Sequence, residues 1–312
     1  MRYLKTYKIF EATKTSGLTP EQEEFLNKYT KRGRWTYDSK TGLVDVNGNF
    51  NCSEQDLSDF KGVRFGKVGK DFNCGGNELT TLEGAPQEVG GNFDCDNNRL
   101  TSLEGAPQKV GGDFSCYRNH LTTLEGAPQK VGGGFHCQNN QLISLEGAPQ
   151  KVGGNFYCEF NKLTSLEGAP QNVGGEFHCH TNQLTTLKGA PQRVKGGFWC
   201  HNNRLTSLEG APQKIGGRFR CSSFELEEGE WNLKGWLKVL KEGSLEAQQL
   251  IAIILSPEDL NREIQNDPEG MIMKLKPVWN DQSFRETRGK IVWPQGYEDE
   301  ADLVGGLGHL GF

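Results

Sequence analysis

The cysteines of this 312-residue chain recur at one fixed spacing. Eight of the nine follow one another at intervals of 21 residues, and Cys52 lies 22 residues before the first of them. The eight are Cys74, Cys95, Cys116, Cys137, Cys158, Cys179, Cys200 and Cys221. A unit of 21 residues is too small to bury an apolar face by itself, so its copies must stack into a continuous coil. The spacing therefore predicts a repeat solenoid.

Aligned on the cysteines, the units share the pattern F-x-C-x-x-N-x-L, a second Leu three residues later, then G-A-P-Q and a Gly pair before the next Phe. Because side chains alternate along a strand, F-x-C predicts a short strand whose Phe and Cys face the core. Gly and Pro disfavour a helix in the return. The Asn of each unit is expected to hydrogen-bond the turning backbone of neighbouring rungs. This Asn ladder consists of Asn77, Asn98, Asn119, Asn140, Asn161, Asn182 and Asn203.

The composition fits a thin repetitive architecture. Apolar residues make up 34% of the chain and there are 41 glycines, while an aromatic content of 10% argues against disorder. The net charge of −5 provides no general basic field, so no nucleic-acid partner is expected. No run of 18 apolar residues predicts a membrane span, and the segment MRYLKTYKIFEATK lacks the apolar region of a secretory signal.

Three roles are open for the cysteine column. Cysteines on adjacent rungs would lie about 4.8 Å apart, within reach of disulfide geometry, but nine is an odd number and the column points into a dry core. One Cys per unit, without C-x-x-C, is poor zinc geometry. Buried thiols that act as small hydrophobes fit the pattern best, and disulfides or a metal site are the alternatives. Reduced thiols are typical of a cytoplasmic protein.

The pattern C-x-x-N-x-L-T-x-L, with an aromatic residue two positions before the Cys, resembles the leucine-rich repeat, L-x-L-x-x-N-x-L. The short period and the Pro on the return side are most similar to its compact bacterial class, and units of the SLEGAP…VGG style are similar to repeats of phage and bacterial proteins. The resemblance covers residues 50–221. It implies a horseshoe or gently curved parallel β coil of about nine rungs, used for protein binding and carrying no chemistry. Phe and Cys stand here where Leu or Val is usual.

Two positions of each unit vary freely: the residue between Phe and Cys, and the residue after Cys. Strand alternation directs both rows out of the core, onto the concave face of the sheet. Aromatic and charged side chains on a rigid sheet predict a binding face for a protein partner of unknown identity. The candidate binding residues are Asp94, Asp96, Tyr117, His136, Tyr157, Glu159, His178, His180, Trp199, His201 and Arg220.

Other interpretations of this face remain open. Random substitution at unconstrained surface positions would explain the Ser and Asn residues of the face well, but its Trp and Tyr residues less well. His178, His180 and His201 are numerous enough for a metal site, yet the sequence shows no carboxylate partner for them, so no metal is expected. A glycosidase-like role for the aspartates of this face, Asp94, Asp96 and Asp113, is disfavoured, because a shallow face offers no pocket that excludes water.

The flanks predict caps for the solenoid. Residues 1–18 form an N-terminal extension, and residues 19–49 a helix and cap in which Thr19 is the N-cap and Pro20 the first helical residue. Residues 50–221 form the solenoid. Residues 222–312 contain the helical patterns EWNLKGWLKVL and SLEAQQLIAIIL, which predict a mainly helical C-terminal cap over the edge of the last rung; an independent domain is the alternative. The last residues form a Gly-rich tail.

The segment LKTYKIFEA resembles the capsid-targeting leaders of internal head proteins in tailed phages. In those leaders a protease cuts after a Leu/Ile-x-Glu triplet, which corresponds here to Ile9-Phe10-Glu11. The resemblance implies processing at Glu11 and a location in the virion as an alternative to the host cytoplasm.

Together these features predict a non-enzymatic solenoid that binds a protein and requires no cofactor. The alternative is a structural component of a virion or a fibre-like assembly, in which the solenoids self-associate. An enzyme in the C-terminal segment has no nucleophile–base pair or metal ligands to support it.

Overall fold

The chain winds into a parallel β solenoid, as the 21-residue period predicts. The computed structural model describes residues 17–222, 224–252, 254–281 and 284–295. Each turn contributes one short strand to each of two sheets, and like positions of successive turns lie in register, as in the pairs Phe114↔Phe135 and Val131↔Val152. Nine parallel strands stack in the first sheet, which confirms a coil of about nine rungs.

The first sheet is built from the F-x-C segments of the repeat. Its parallel strands are β4 (Asn49–Asn51), β6 (Phe72–Asn73), β8 (Phe93–Asp94), β10 (Phe114–Ser115), β12 (Phe135–His136), β14 (Phe156–Tyr157), β16 (Phe177–His178), β18 (Phe198–Trp199) and β20 (Phe219–Arg220).

The second sheet lies on the return side, where the sequence pattern predicts only a non-helical return. The basic or polar residue and the Val that follow G-A-P-Q pair with their counterparts on the next turn. Its strands are β3 (Leu43–Val46), β5 (Phe65–Val68), β7 (Glu88–Val89), β9 (Lys109–Val110), β11 (Lys130–Val131), β13 (Lys151–Val152), β15 (Asn172–Val173), β17 (Arg193–Val194) and β19 (Lys214–Ile215). A two-residue strand carries no periodicity of its own, so only stacking reveals it.

The core is a narrow strip between the two sheets. The Phe side chains of the first sheet are fully buried and stack on one another, with ring centroids 5.2 Å apart for Phe93 and Phe114 and 5.4 Å apart for Phe114 and Phe135. The two leucines of each unit and the Val of the second sheet complete the strip, as Leu121, Leu124 and Val131 do in one turn. Each rung thus buries the same apolar set against its neighbours.

The Asn ladder forms hydrogen bonds with the backbone N–H and C=O groups at the point where the chain leaves the first sheet. Asn119 Nδ2 donates to the carbonyl oxygens of Cys95, 3.0 Å away on the preceding rung, and of Cys116, 3.1 Å away on its own rung. Its Oδ1 accepts the N–H of Leu100 at 3.0 Å. These side chains are buried, so the backbone groups they pair have no access to bulk water.

All nine cysteines are buried, and none forms a disulfide within the described residues. Several donate their S–H to a carbonyl of the next rung, as Cys95 does to Ser115 and Cys137 to Tyr157, both at 3.3 Å. Burial raises the pKa of these thiols, to about 12 for Cys52. The column therefore packs as protonated, weakly polar side chains.

Glycine is required where successive turns approach most closely. Gly126, in the L-E-G-A-P turn, has a φ of 89°, in the left-handed region that residues with a Cβ avoid. A Cβ added there would lie 2.5 Å from the carbonyl carbon of Leu103 on the preceding turn. The turn can therefore repeat at every rung only because Gly recurs with it.

The N-terminal end is closed by a helix and two antiparallel strands. Helix α1 (Pro20–Tyr29) starts as predicted: Thr19 is its N-cap and forms a capping box with Gln22. Phe25 of this helix packs on Phe50 of the first rung, with ring centroids 5.5 Å apart. Strand β1 (Thr30–Lys31) pairs with β4, and β2 (Trp35–Asp38) pairs with β3, so both sheets are covered at this end.

The C-terminal end differs in one respect from the predicted helical cap. The edge of the first sheet is covered by a strand, β21 (Glu225–Leu226), which pairs antiparallel with β20. Trp231 then covers the core, with its ring centroid 4.2 Å from that of Phe219 and its Nε1 donating to the Pro212 carbonyl. A strand fits here because the edge offers unpaired backbone groups, which a helix cannot satisfy.

Helices follow this strand, as predicted. They are α2 (Leu233–Glu242), α3 (Leu245–Ala252), α4 (Pro257–Asn266), α5 (Pro268–Leu275), a 3₁₀ turn (Lys276–Val278) and α6 (Arg285–Arg288). Ser256 is the N-cap of α4, and its hydroxyl accepts the N–H of Asp259. None of the described helices has both the length and the apolar character to cross a membrane.

We expect Asn119→Ala to lower the free energy of unfolding by roughly 2 to 4 kcal/mol, because it leaves the carbonyls of Cys95 and Cys116 and the N–H of Leu100 buried without partners. Chemical denaturation followed by circular dichroism measures the change. Gln129→Ala removes an exposed amide from the same turn and is the matched control. An equal effect of the two substitutions would contradict the role of the ladder.

Candidate functional site

The two variable rows of the repeat lie side by side on the first sheet. In a typical rung, Phe135 and Cys137 are fully buried, whereas His136 and Gln138 are half-buried on the opposite side of the strand. The same alternation recurs along the coil. We call this surface the variable face: the residues between Phe and Cys, and those after Cys, of the nine rungs.

A continuous group of rings, which we call the aromatic cluster, lies along the second half of the variable face. It consists of Tyr157, His178, His180, Trp199 and His201 of the face and of Phe160 directly beside it. Tyr157 lies edge-on to His178 with ring centroids 4.7 Å apart, and His178 lies 5.5 Å from Trp199. His180 stacks on His201 at 4.5 Å. Because the coil is in register, residues 21 positions apart in sequence become neighbours, and five of the predicted binding residues join in one cluster.

Polar atoms without partners are concentrated on the variable face. Six buried side-chain nitrogen or oxygen atoms of the described residues have no hydrogen-bond partner, and four of them belong to this face. The four are Gln138 Oε1, Glu159 Oε2, Trp199 Nε1 and His201 Nδ1. Buried polar groups in native proteins are almost always paired, and these four atoms have no partner within the described part of the chain.

Burial dominates the electrostatics of the cluster. It raises the pKa of Glu159 to about 7 and lowers the pKa of His180 to about 4, where the charges of His201 and His178 act in the same direction. Burial also lowers the pKa of His178, although Glu176 opposes it. The 3.0 Å contact between His178 Nε2 and Glu176 Oε2 is therefore a hydrogen bond from a neutral imidazole rather than an ion pair.

These carboxylates correct one premise of the sequence analysis. The histidines were expected to have no carboxylate partner, but Glu176 hydrogen-bonds His178, and Glu159 lies beside His178 and His180. Glu176 comes before the Phe of its strand, and Glu159 belongs to the preceding rung. The sequence does not show either contact. The contact of Glu159 depends on the stacking of rungs, and that of Glu176 on a side chain that folds back along its own strand.

The first half of the variable face carries an acidic group. Asp94 Oδ1 accepts the N–H of Asp96 at 3.1 Å, and its Oδ2 lies 3.4 Å from Asn73 Nδ2. Burial raises the pKa of Asp94 to about 6, and the negative charge of Asp96 adds to this effect. Tyr117 hydrogen-bonds to Asp96, which raises the pKa of the phenol. The face therefore has an acidic end and an aromatic end.

Two other predicted residues lie between the acidic group and the aromatic cluster or at the end of the face. The ring of His136 lies 5.0 Å from that of Tyr157 and extends the aromatic cluster toward the acidic end. Arg220 lies on the last rung, where its Nε is 3.6 Å from Glu225 Oε2 of the C-terminal strand. Glu11, the predicted processing site, lies outside the described residues.

Phe160 belongs to the cluster although the sequence analysis did not select it. It precedes the ladder residue Asn161, has a φ of 55° and is 50% exposed. Its ring lies edge-on to His180, with centroids 5.5 Å apart. Asn97, Asn139 and Asn202 occupy this position in other rungs, and Asn tolerates positive φ better than a bulky residue. Gly76, Arg118 and Thr181 occupy the position in the remaining rungs, so Phe160 is its one large apolar residue among these units, and this was the signal that could have revealed it.

A groove lies on the other sheet. It encloses about 800 Å³ and is lined by the second-sheet strands, among them the side chains of Lys130, Lys151, Arg193 and Lys214. These four basic side chains stack in a column, which the sequence analysis missed. The walls of the groove are nearly the same at every rung, whereas the variable face changes from rung to rung.

Comparisons with known proteins add little to this description. No protein-family model matches the chain, and a search of curated proteins finds no match. Among solved structures, YopM from Yersinia enterocolitica WA-314 matches with a TM-score of 0.39 and 19% sequence identity, over 51% of this chain and 40% of that protein. The fold assignment rests on the stacked turns of this chain and takes no support from that match.

We expect Asp94→Asn to raise the free energy of unfolding by about 1 to 2 kcal/mol at pH 7.5 and to have no effect at pH 3.5. Burial raises the pKa of Asp94 in the folded protein to about 6, above the ordinary value of 3.8 that holds in the unfolded chain. Between these pH values the folded protein binds one more proton than the unfolded chain, so the wild type loses stability as the pH rises through this window. Urea denaturation at both pH values measures the difference. Glu104→Gln, at an exposed carboxylate, is the control; an Asp94→Asn effect independent of pH would refute the assignment.

Phe160→Asn should raise the free energy of unfolding by about 1 kcal/mol, because it places a residue that tolerates positive φ at a strained position. The reciprocal change, Asn139→Phe, introduces the same ring at the equivalent position and should lower stability by a similar amount. Thermal and chemical denaturation of the two variants test the pair. A loss of stability in Phe160→Asn would show that the contact with His180 outweighs the backbone strain.

Proposed function

We propose that this chain is a non-enzymatic binding solenoid that recognises a protein partner through its variable face, with the aromatic cluster at the centre of the contact. The observation that carries the proposal is the concentration of unpaired buried polar atoms on this face, beside exposed and half-buried rings. Unpaired buried polar atoms weaken the isolated coil, and the rings leave apolar surface in contact with water. Both become favourable when a partner supplies hydrogen bonds and covers the rings.

The dimensions of the face suit a protein. Nine strands at a spacing of about 4.8 Å make a surface roughly 40 Å long, which is the scale of an ordinary protein–protein contact. Aromatic residues dominate the energetics of such contacts, since they remove a large apolar area from water and lose little conformational entropy. Tyr157, Trp199 and Phe160 are the anchors of this kind here.

The chemistry of the face suggests what the partner presents. The acidic end, at Asp94 and Asp96, attracts a basic group, while the neutral imidazoles and the rings favour an apolar or aromatic side chain. Gln138 and Glu159 offer acceptors, and Trp199 offers a donor. A partner that pairs a cationic residue with an apolar anchor about 15 to 25 Å away would match both ends.

An open face argues against catalysis at these residues. General acid–base or nucleophilic chemistry gains from a site that excludes water, and the variable face is a sheet surface rather than a cleft. Association of solenoids into a virion or fibre-like assembly is also less well supported. Antiparallel strands cover both edges of the first sheet, which blocks end-to-end pairing through that sheet.

The test is partner capture by three immobilised versions of the full chain, compared by quantitative mass spectrometry. One is the wild type, one carries Tyr157→Ala, His178→Ala and Trp199→Ala, and one is a back-face control with Lys130→Ala, Lys151→Ala and Lys214→Ala. We expect a protein that is captured by the wild type and the control and lost from the variable-face variant. Its affinity should fall by at least about 30-fold, since central aromatic anchors each contribute on the order of 2 kcal/mol.

Two outcomes would contradict the proposal. Capture that survives the triple change on the variable face would show that the partner binds elsewhere. Capture that is lost only from the back-face control would move the interface to the basic groove. Circular dichroism of all three proteins establishes that each is folded.

A further inference from the structure

We propose that Glu159, His178 and His180 form a binding site for a divalent transition-metal ion of the Zn²⁺ type. One ligating atom from each of these three side chains can be chosen so that all three lie within 4.8 Å of one another. The site does not depend on protein binding by the variable face, and each can be tested without the other.

The backbone brings the three ligands together. His178 ends strand β16, and His180 follows two residues later in the same extended segment. Burial alternates along it, so both histidines project from the variable face while Cys179 points into the core. Glu159 occupies the same position as His180 on the preceding rung, 21 residues earlier. Two ligands along a strand and one across it form a triangle, which is the arrangement that a single ion requires.

The distances are close to those of a bound ion. Zn²⁺ holds nitrogen and oxygen ligands at about 2.0 to 2.2 Å, which places tetrahedral ligands roughly 3.3 Å apart. Contraction from 4.8 Å requires a movement of about an ångström, which rotation of half-buried side chains can supply. The strands are held in register by the Phe and Cys ladders, so no backbone movement is needed.

Neighbouring groups orient the ligands. His178 Nε2 lies 3.0 Å from Glu176 Oε2, and His180 Nδ1 lies 3.1 Å from Thr181 Oγ1. An imidazole has two ring nitrogens, and a hydrogen bond at one of them orients the ring and leaves the other for a metal. Glu159 Oε2 is buried with no hydrogen-bond partner. A metal ion would satisfy it.

The ligand set selects the class of metal. Two imidazoles and one carboxylate suit Zn²⁺ and neighbouring transition ions, whereas Ca²⁺ and Mg²⁺ prefer oxygen ligands alone. His201 stacks on His180 with ring centroids 4.5 Å apart and has a buried, unpartnered Nδ1, so it lies at the edge of the site. Three protein ligands leave a coordination position open toward the solvent side of the face.

The experiment uses the full, tag-free chain after dialysis against a chelator. Isothermal titration with ZnCl₂ measures the stoichiometry and affinity, and the visible absorption of Co²⁺ reports the ligand type. We expect one equivalent to bind, with the d–d bands of a nitrogen- and oxygen-ligated ion.

The variants borrow residues that other rungs already carry at the same positions. They are Glu159→Gln, as at Gln138; His178→Ser, as at Ser115; and His180→Ser, as at Ser222. Each should weaken Zn²⁺ binding by at least about tenfold. His136→Ser removes a histidine from the same face two rungs before His178 and should leave the affinity unchanged.

Three results would overturn the assignment. The first is no binding by the wild type, and the second is an affinity that the three variants do not change or that His136→Ser lowers equally. The third is a thiolate-to-cobalt charge-transfer band, which would place the ion on cysteines. Because the substitutions match residues of other rungs, circular dichroism should show the variants folded.

Discussion

The structure depends on in-register hydrogen bonding between successive turns of the coil. Backbone groups of one rung pair with groups of the next, as Cys95 N does with Ser115 O at 2.9 Å on the first sheet and Gly112 N with Gly91 O at 2.8 Å near the second. The Asn ladder extends this pairing into the turn between the sheets. Since no unit closes on itself, each rung is stable only against its neighbours.

This register explains why some positions hardly change and others vary. A buried residue meets its own counterparts above and below, so a Phe column or a Leu column packs well and a single exception would leave a cavity or a clash. On the outer side of the same strand the counterparts face solvent. The variable face is thus the surface on which sequence can change without loss of the coil, and adjacent rungs combine their changes into one surface.

The aromatic cluster contains groups that do not stabilise the coil. Phe160 occupies a backbone conformation that disfavours a bulky side chain, and Glu159 holds a carboxylate in surroundings that raise its pKa to about 7. Both features oppose folding, and the buried ladders beneath them hold the backbone in place nevertheless. Strained or poorly solvated groups that a rigid scaffold tolerates are common at functional sites, and here they share one part of one face.

The sequence by itself determined the solenoid, the buried Phe, Cys and Leu columns and the identity of the outward rows, because a 21-residue period leaves stacking as the only way to bury the apolar positions. Only the tertiary structure decided which outward residues touch. It made Glu159 a neighbour of His180, folded Glu176 back onto His178, placed Phe160 in the cluster, paired the two-residue strands of the second sheet and put a strand over the last rung. These contacts depend on distances across rungs and on side-chain rotamers, neither of which a repeat pattern contains.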